Sequence, residues 1–350
     1  QVGISNQPGA AAELLMVGPL KSSTVMRRLL HIAPLWPLFV DACSNFAMEN
    51  EYVISARTED LGPVDYEFVM VTKPKGDRCL RSCRQGYAAI VAEKEGTIQD
   101  TQIKAGLNDA GLSCDKQTLL GSQYPARNES LDNIDAALLC QWALEGYSSI
   151  ADLKSALQGV NFVTPKEPMF LDGHWVLRDA LGQGLVLEFL EGRLVAHDDH
   201  NDQGSTGFGI MTNEPPFAWQ LQAVRHLQWK QSLAGPALAV PGGWYPDDRF
   251  LRIYLVKSGM PKPASYQDAV AQAVHVMNTI SVPVGALVGT DTRQVGLNDR
   301  THWGIIYDHR NATLYWRSLG NQNFQRLRLS DAGLLEGARA QYLRVAGPAL

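Results

Sequence analysis

Cys43 is the residue of this 350-residue sequence whose type and position point most directly to chemistry. It follows Val40-Asp41-Ala42 and opens the segment Cys43-Ser44-Asn45-Phe46-Ala47, which has the composition of a strand. Cleavage before Cys43 would place a thiol and an α-amine on one residue. An α-amine titrates near ~8, compared with ~10.4 for lysine, so it can accept the thiol proton at neutral pH. The sequence therefore predicts a cysteine nucleophile that carries its own base.

Position alone leaves two other interpretations of Cys43 open. A lipid-modified cysteine also follows a signal peptide, but Asp41 is not the small residue expected there and no Ser/Gly tether follows. A buried core cysteine is the second, because free cysteine is among the most buried residue types. On its position alone, Cys43 would be interpreted as a buried core cysteine rather than as a nucleophile.

The 42 residues before Cys43 are predicted to be a leader that is removed. Arg27-Arg28 precede an apolar stretch over residues 29–40, and Asp41-Ala42 follow it. This is the order of a basic region, an apolar region and a small residue before the cut of a secretory signal. The cut is expected to be either autocatalytic or made by a signal peptidase, and the protein to be secreted or periplasmic.

The apolar stretch of the leader is too short to remain as a membrane anchor. It is shorter than the ~20 residues that span a bilayer, and Pro34 and Pro37 interrupt it, so we expect no stable membrane span. Residues 1–25 lack clear periodicity and are interpreted as a non-native or misassigned extension.

The composition of the chain is that of a globular protein. With 45% hydrophobic and 19% charged residues over the whole chain, residues 43–350 can build a substantial core in one large domain or two small ones. No convincing internal linker is present, and residues 43–350 are interpreted as a single catalytic domain. The net charge of −5, the pI near 5.9 and the lack of a basic run argue against a nucleic-acid partner.

Five cysteines are an odd number, so at least one thiol must stay outside any disulfide. Cys79 and Cys83 are close enough for a local disulfide in an oxidising compartment, or for half of a metal site. No second Cys or His pair with suitable spacing follows, so no metal is expected, and the cysteine chemistry requires no organic cofactor.

Charged residues follow Cys43 at the end of the next strand-like stretch, Ala56-Arg57-Thr58-Glu59-Asp60. A hairpin can return Arg57 and Asp60 to the thiol. An arginine there favours the thiolate, and a carboxylate can hold the α-amine. Taken alone, each of the two would be interpreted as part of a surface ion pair of little energetic weight.

Two asparagines lie where strands end. Asn108 is in the turn Gly106-Leu107-Asn108-Asp109-Ala110-Gly111-Leu112, and Asn213 precedes Glu214-Pro215. Amide hydrolysis through a thiol passes an oxyanion, which each preorganised N–H donor stabilises by roughly 3 to 4 kcal/mol. Asparagines in turns more often cap their own loop, so each one alone favours a structural role.

Hydrophobic patterning predicts a layered α+β protein in which helices cover two sheets. Glu191-Gly192 is predicted to join two strands in a tight hairpin. Predicted strands cover residues 45–56, 66–72, 174–178, 184–190, 193–197, 208–212, 303–307, 313–317 and 324–329, and predicted helices cover 131–144, 149–157, 217–229 and 266–280.

Five motifs follow one another along the chain: Cys43-Ser44-Asn45-Phe46, Ala56-Arg57-Thr58-Glu59-Asp60, Gly106-Leu107-Asn108-Asp109-Ala110-Gly111-Leu112, Met211-Thr212-Asn213-Glu214-Pro215 and Asp248-Arg249-Phe250-Leu251-Arg252. In this order they resemble the choloylglycine hydrolases, a family that includes penicillin V acylases and conjugated bile salt hydrolases. The resemblance extends to about Leu329. It implies the four-layer αββα fold of N-terminal-nucleophile (Ntn) hydrolases, two antiparallel sheets between helical layers.

The resemblance also implies roles for residues around the thiol. Cys43 would be the nucleophile and its α-amine the base, Asp60 would hold that amine, and Arg57 would lie against the thiolate. Glu59 departs from the family pattern, which has an apolar residue before the aspartate, so we expect a more polar pocket wall there.

For the oxyanion, the resemblance implies two donors, the side-chain amide of Asn213 and the backbone N–H of Asn108. Arg249 would complete the polar cluster near the sulfur. The predicted reaction is cleavage of a linear non-peptide amide through a thioester, with a small-molecule acyl amide as substrate. Related enzymes are often tetramers, which implies a homotetramer.

Two other functions stay open from the sequence. One is a catalytically silent binding protein with the same fold, which would follow if the leader were never removed. The other is an N-acyl lipid amidase similar to acid ceramidase. That enzyme would be expected to have a longer, retained propeptide, and the short leader here argues against it.

Overall fold

The computed structural model describes residues 43–347 except 49, 78, 82, 200–206, 235–238 and 287–298. The predicted leader, residues 1–42, lies outside the described residues. Within the described part of the chain, no helix is both long enough and apolar enough to cross a membrane.

The first of two large antiparallel sheets carries the start of the described chain. As far as the structure describes the chain, its strands are β1 (Ser44–Ala47), β2 (Ile54–Leu61), β13 (Ile210–Thr212), β14 (Arg300–Asp308), β15 (Thr313–Ser318) and β16 (Gln325–Arg328). Their order across the sheet is β13-β1-β2-β14-β15-β16, so β1 lies between β13 and β2.

The strands of the second large sheet are β3 (Glu67–Lys73), β4 (Tyr87–Lys94), β5 (Thr97–Ile98), β6 (Ala105–Asn108), β7 (Ser113–Gln117), β10 (His174–Arg178), β11 (Gly184–Leu190), β12 (Arg193–Asp198) and β17 (Gln341–Arg344). Their order across the sheet is β12-β11-β10-β7-β6-β4-β3-β17, with β5 paired to β4. A separate parallel pair is formed by β8 (Asp132–Asp135) and β9 (Val160–Val163).

Helices lie on the outer faces of both sheets, as expected. The helices α3 (Phe217–Ala234), α4 (Pro246–Gly259) and α5 (Tyr266–Ile280) share a core with the first sheet, whereas α1 (Leu139–Gly146) and α2 (Ile150–Ala156) share one with the second. The inner faces of the sheets meet in a third core, which includes Leu107 and Trp303. The predicted αββα layering is therefore confirmed.

Several predicted elements have the expected bounds. The strands at residues 174–178 and 184–190 and the helix at 266–280 are β10, β11 and α5. The residues between β11 and β12, Glu191 and Gly192, have φ values of 53° and 73°, as a tight hairpin turn requires. The side chain of Ser265 caps α5 by accepting a hydrogen bond from the N–H of Asp268.

Two predicted elements are wrong in part. The strand expected over residues 45–56 is a hairpin, in which β1 and β2 are joined by a turn that contains Val53 at φ 56°. The helix expected over 131–144 begins as β8, and α1 starts only at Leu139. Short apolar runs fit a strand or a helix equally well, and pairing with β9 decides this case.

Two disulfides involve four of the five cysteines. Cys79 bonds Cys83, as the local-disulfide interpretation predicted, and Cys114 in β7 bonds Cys140 in α1. The second disulfide ties the outer helical layer to its sheet. Cys43 takes part in neither disulfide.

His309 links the two sheets at the end of β2 that lies away from Glu59. Its Nδ1 donates to the carbonyl oxygen of Gly111 (2.9 Å), so its Nε2 accepts from the hydroxyl of Ser55 (2.7 Å). The sheets approach closely here, since a Cβ on Gly111 would lie 2.1 Å from the carbonyl oxygen of His309. Burial lowers the pKa of His309 to about 4, against the opposing effect of the Gly111 bond.

This lowered pKa predicts acid sensitivity of the fold. The unfolded chain binds the proton more readily, so the stability from neutral His309 is complete above pH ~6.5 and is lost as the pH falls towards 4. Protonation of His309 should lower the free energy of unfolding of the parent protein by about 3 kcal/mol as the pH falls. We expect this loss to be absent in His309→Gln, whose side chain does not titrate. Urea unfolding of both proteins at about pH 7.5 and about pH 4.5 measures it. A difference between the two proteins that does not change with pH would contradict it.

Candidate active site

The register of three strands positions the residues around Cys43. Ser44 in β1 pairs with Thr58 in β2 on one side and with Thr212 in β13 on the other. Continued by one residue, this register places Cys43 between Glu59 and Asn213. Side chains directly across from one another lie on the same face of a sheet, so these three point the same way.

Cys43 is buried between the sheets, with 2% of its surface exposed. Its Sγ donates to Oε2 of Glu59 at 3.4 Å, and one guanidinium N–H of Arg57 points to Sγ at 3.9 Å. Arg57 also donates to Glu59 and to the carbonyl oxygen of Lys104, and it lies over the ring of Trp303. The structure thus brings Arg57 to the sulfur and adds Glu59, which the sequence did not place in the catalytic set.

Glu59 is an ionised carboxylate in a buried place. Burial acts to raise its pKa, but the charges of Arg57, Lys104 and Lys116 outweigh burial and lower it. The ammonium of Lys104 lies 3.4 Å from Oε1 of Glu59. Both lysines are themselves buried, so the wall beside the thiol is charged as well as polar.

Asp60 lies on the opposite face of β2 from Arg57 and Glu59. It accepts hydrogen bonds from the hydroxyls of Thr58 (2.9 Å) and Thr301. Burial raises its pKa to about 7, although the charge of Arg249 opposes this. Residue 42 lies outside the described residues, so the contact of Asp60 with a free α-amine stays a prediction.

Arg249, in α4, holds both the backbone of Cys43 and the side chain of Asn213. Its guanidinium donates to the carbonyl oxygen of Cys43 (2.5 Å), to the hydroxyl of Ser44 (2.5 Å) and to Oδ1 of Asn213 (3.0 Å). Nδ2 of Asn213 donates to the carbonyl oxygen of Thr118 at 3.0 Å. A primary amide has two N–H groups, and the bond to Thr118 uses one of them.

Asn108 does not belong to this cluster, so the structure gives no support for its predicted role as an oxyanion donor. Its backbone N–H donates to the carbonyl oxygen of Leu112 (2.9 Å) and so is not available to an oxyanion. The preceding residue, Leu107, faces the other sheet, and strand alternation turns Asn108 towards α1. Its side chain bonds backbone groups of its own turn and of α1, namely Ala110, Leu112, Leu144 and Tyr147.

Asp115, in β7 of the second sheet, is a further polar residue that reaches the site, and it was not predicted from the sequence. It accepts from the hydroxyl of Tyr307 (2.5 Å) and from Nδ2 of Asn45 (2.8 Å), and it lies 3.9 Å from Arg57. Burial raises its pKa to about 6. A signal existed, because polar residues alternate along β7 at Ser113, Asp115 and Gln117.

This arrangement has the parts needed for acyl transfer. A thiol lies beside a guanidinium that stabilises negative charge on sulfur. The strand register places Asn213 on the other side of Cys43, with both the oxygen and the nitrogen of its amide hydrogen-bonded. An amide N–H is the type of donor that a tetrahedral oxyanion needs.

Comparison with known proteins agrees with this geometry. The family of linear amide C–N hydrolases called the choloylglycine hydrolase family matches residues 43–340. A bile salt hydrolase/transferase of Clostridium perfringens is 23% identical over 284 residues, which cover 70% of this chain and 80% of the relative. A penicillin V acylase of Pectobacterium atrosepticum is 24% identical over 257 residues, 68% of this chain and 65% of the relative.

Solved structures share the fold. A penicillin V acylase from Agrobacterium tumefaciens superposes with a TM-score of 0.68 at 23% identity, over 86% of this chain and 91% of that one. A mutant of the conjugated bile acid hydrolase from Clostridium perfringens gives 0.69 at 18% identity, over 86% and 96%. The chain therefore belongs to the choloylglycine hydrolase family of linear amide C–N hydrolases and has the Ntn-hydrolase fold.

Proposed function

We propose that this protein is a cysteine amidohydrolase in which Cys43, once it is the first residue, attacks a linear non-peptide amide. The observation that carries the proposal is the position of the buried thiol, with the guanidinium of Arg57 on one side and the fixed amide of Asn213 on the other. A silent binding protein would not need a donor oriented in this way beside a thiol.

The steps follow from the groups present. The α-amine of Cys43 takes the thiol proton, the thiolate attacks the amide carbon, and the amide of Asn213 donates to the oxyanion. The C–N bond then breaks as the α-ammonium returns a proton to the departing nitrogen, which leaves a thioester. Water, deprotonated by the same amine, hydrolyses the thioester and restores the thiol.

Removal of residues 1–42 is part of the proposal. The match to the family begins at residue 43, which supports a mature domain over residues 43–350. Two disulfides suit an oxidising compartment, which supports a secreted or periplasmic location. Whether the cut is autocatalytic or made by a signal peptidase does not change the chemistry, because either cut frees the same α-amine.

The proposed substrate is a small acyl amide. Relatives named bile salt hydrolase and penicillin V acylase support conjugated bile salts and penicillin V as the first compounds to test. A homotetramer is proposed for the mature form. An N-acyl lipid amidase is the second candidate, and N-acyl ethanolamides test for it.

Mass spectrometry and a hydrolysis panel test the proposal. We expect purified protein that begins at Cys43 to release amine from at least one of penicillin V, a glycine-conjugated bile salt, a taurine-conjugated bile salt or an N-acyl ethanolamide. Protein that still carries the leader is expected to be inactive, because the nitrogen of Cys43 is then an amide and cannot accept a proton. Active protein with any other first residue would overturn the mechanism.

A further inference from the structure

We propose that Glu59 holds the hydrogen of the resting Cys43 thiol and competes with the sulfur for Arg57, so that it controls how readily the nucleophile ionises. The inference rests on the proposed function only in that it concerns the same sulfur. It assigns a direct contact with the reacting atom to a residue outside the predicted set of Cys43, Arg57, Asp60, Asn108, Asn213 and Arg249.

The contacts of one oxygen carry the argument. Oε2 of Glu59 accepts both the S–H of Cys43 and an N–H of Arg57. That guanidinium nitrogen is much closer to the carboxylate than to the sulfur, from which it lies 3.9 Å away. In this arrangement Glu59, rather than the thiol, is the principal partner of Arg57.

Other charges determine the state of this carboxylate. Lys104, before β6, lies 3.4 Å from its other oxygen, and Lys116 in β7 adds a second positive charge. Together with Arg57 these keep Glu59 negative despite its burial. A negative charge beside a thiol disfavours a second one on the sulfur. Among the residues that the structure describes, the other ionisable groups that interact with Cys43, Arg57 or Glu59 are Asp115 in β7, His302 and Tyr307 in β14, and Asp60 and Arg249 across the first sheet.

The proton balance during activation is simple. The S–H bond breaks, the electron pair stays on sulfur and the proton goes to the α-amine, so Glu59 remains a carboxylate throughout. Arg57 then lies between two anions, the carboxylate and the thiolate. Glu59 thus keeps the thiol protonated until the base acts, and it keeps Arg57 positioned for the thiolate that forms.

The test is the pH dependence of thiol ionisation, which does not need a substrate. The other four cysteines are in disulfides, so alkylation by iodoacetamide without a reducing agent reports on Cys43. Thiolate absorbance in the ultraviolet reports on it without requiring access of a reagent. In Glu59→Gln we expect the midpoint of both profiles to fall by about one pH unit, which makes alkylation about tenfold faster at a pH below the midpoint.

Glu145→Gln is the matched control. Glu145 is also buried and faces a lysine, Lys73, at 3.9 Å, but it belongs to α1 in the outer layer. Its replacement should leave the profiles unchanged. Lys104→Met should move the midpoint upward, opposite to Glu59→Gln, because it removes a positive charge near the sulfur.

Unchanged or raised midpoints in folded Glu59→Gln would overturn the inference. Circular dichroism establishes whether the variant is folded, and Glu59→Met, which removes the charge with a different shape, repeats the measurement if it is not. The test of this inference can fail independently of the test of the proposed function. A shifted midpoint in a protein that cleaves no amide would leave the inference standing and remove the proposed function, whereas an unshifted midpoint in an active enzyme would do the reverse.

Discussion

Replacement of Cys43 by alanine in the mature protein is expected to abolish amide hydrolysis and to leave the fold intact. The contacts of the thiol with Glu59 (3.4 Å) and Arg57 (3.9 Å) are long, so we expect its loss to cost little stability. The same change removes the only atom that forms the covalent intermediate in the proposed mechanism. Removal of a nucleophile lowers kcat on the order of 10⁶-fold in other hydrolases, and we expect a loss of about 10⁴-fold or more here.

The measurement compares kcat for the best substrate of the hydrolysis panel with thermal unfolding of the same samples. Cys43→Ser is the informative companion variant. It keeps the α-amine and an atom that can donate to Glu59, but a hydroxyl is a far weaker nucleophile than a thiolate at neutral pH. We expect normal folding and a deep loss of kcat in both variants. Substantial turnover by folded Cys43→Ala would mean that another group attacks the amide.

The fold could be predicted from sequence where the patterning is local. Strand alternation, the Glu191-Gly192 turn and the Ser265 cap each specify their element without help from distant residues, and β10, β11 and α5 have the expected bounds. The helix α4 was not predicted, although Pro246 at its first turn and two acidic residues after it are start signals. Residues 131–144 were misassigned because only pairing with β9 decides their state.

The site was less predictable, since it depends on which face of which sheet a residue occupies. A shift of one position along a strand moves a side chain from the face between the two sheets to the face covered by helices. Asn108 has the residue type and the glycine-flanked turn of an oxyanion donor, yet it faces α1. Asp115, seven positions later on the next strand, reaches Asn45 and Tyr307 from the second sheet. The spacing along β7 predicts that Asp115 shares a face with Ser113 and Gln117, but it does not predict which residues of the other sheet this face meets.

The second large expected effect concerns Asn213, which the structure places in a different environment from Asn108. Both residues were predicted to be oxyanion donors, Asn213 through its side-chain amide and Asn108 through its backbone N–H. We expect Asn213→Ala to lower kcat by about 10²- to 10³-fold with little change in KM, since its amide N–H would be used only when the oxyanion forms. Its side chain also bonds Arg249 and the carbonyl oxygen of Thr118, so a modest loss of stability accompanies the change.

Asn108→Ala is expected to have the opposite outcome. It removes the side-chain bonds that fix the turn between β6 and β7 and tie it to α1, each worth about 0.5 to 1.5 kcal/mol. The free energy of unfolding should therefore fall by about 2 to 4 kcal/mol, while kcat per folded molecule stays near that of the parent. Urea titrations and active-site titration with an alkylating reagent supply both quantities for each variant. Asn108→Ala keeps the backbone N–H and removes only the side chain, so a loss of kcat in the folded variant as deep as that of Asn213→Ala would mean that the side chain of Asn108 acts at the site rather than on α1.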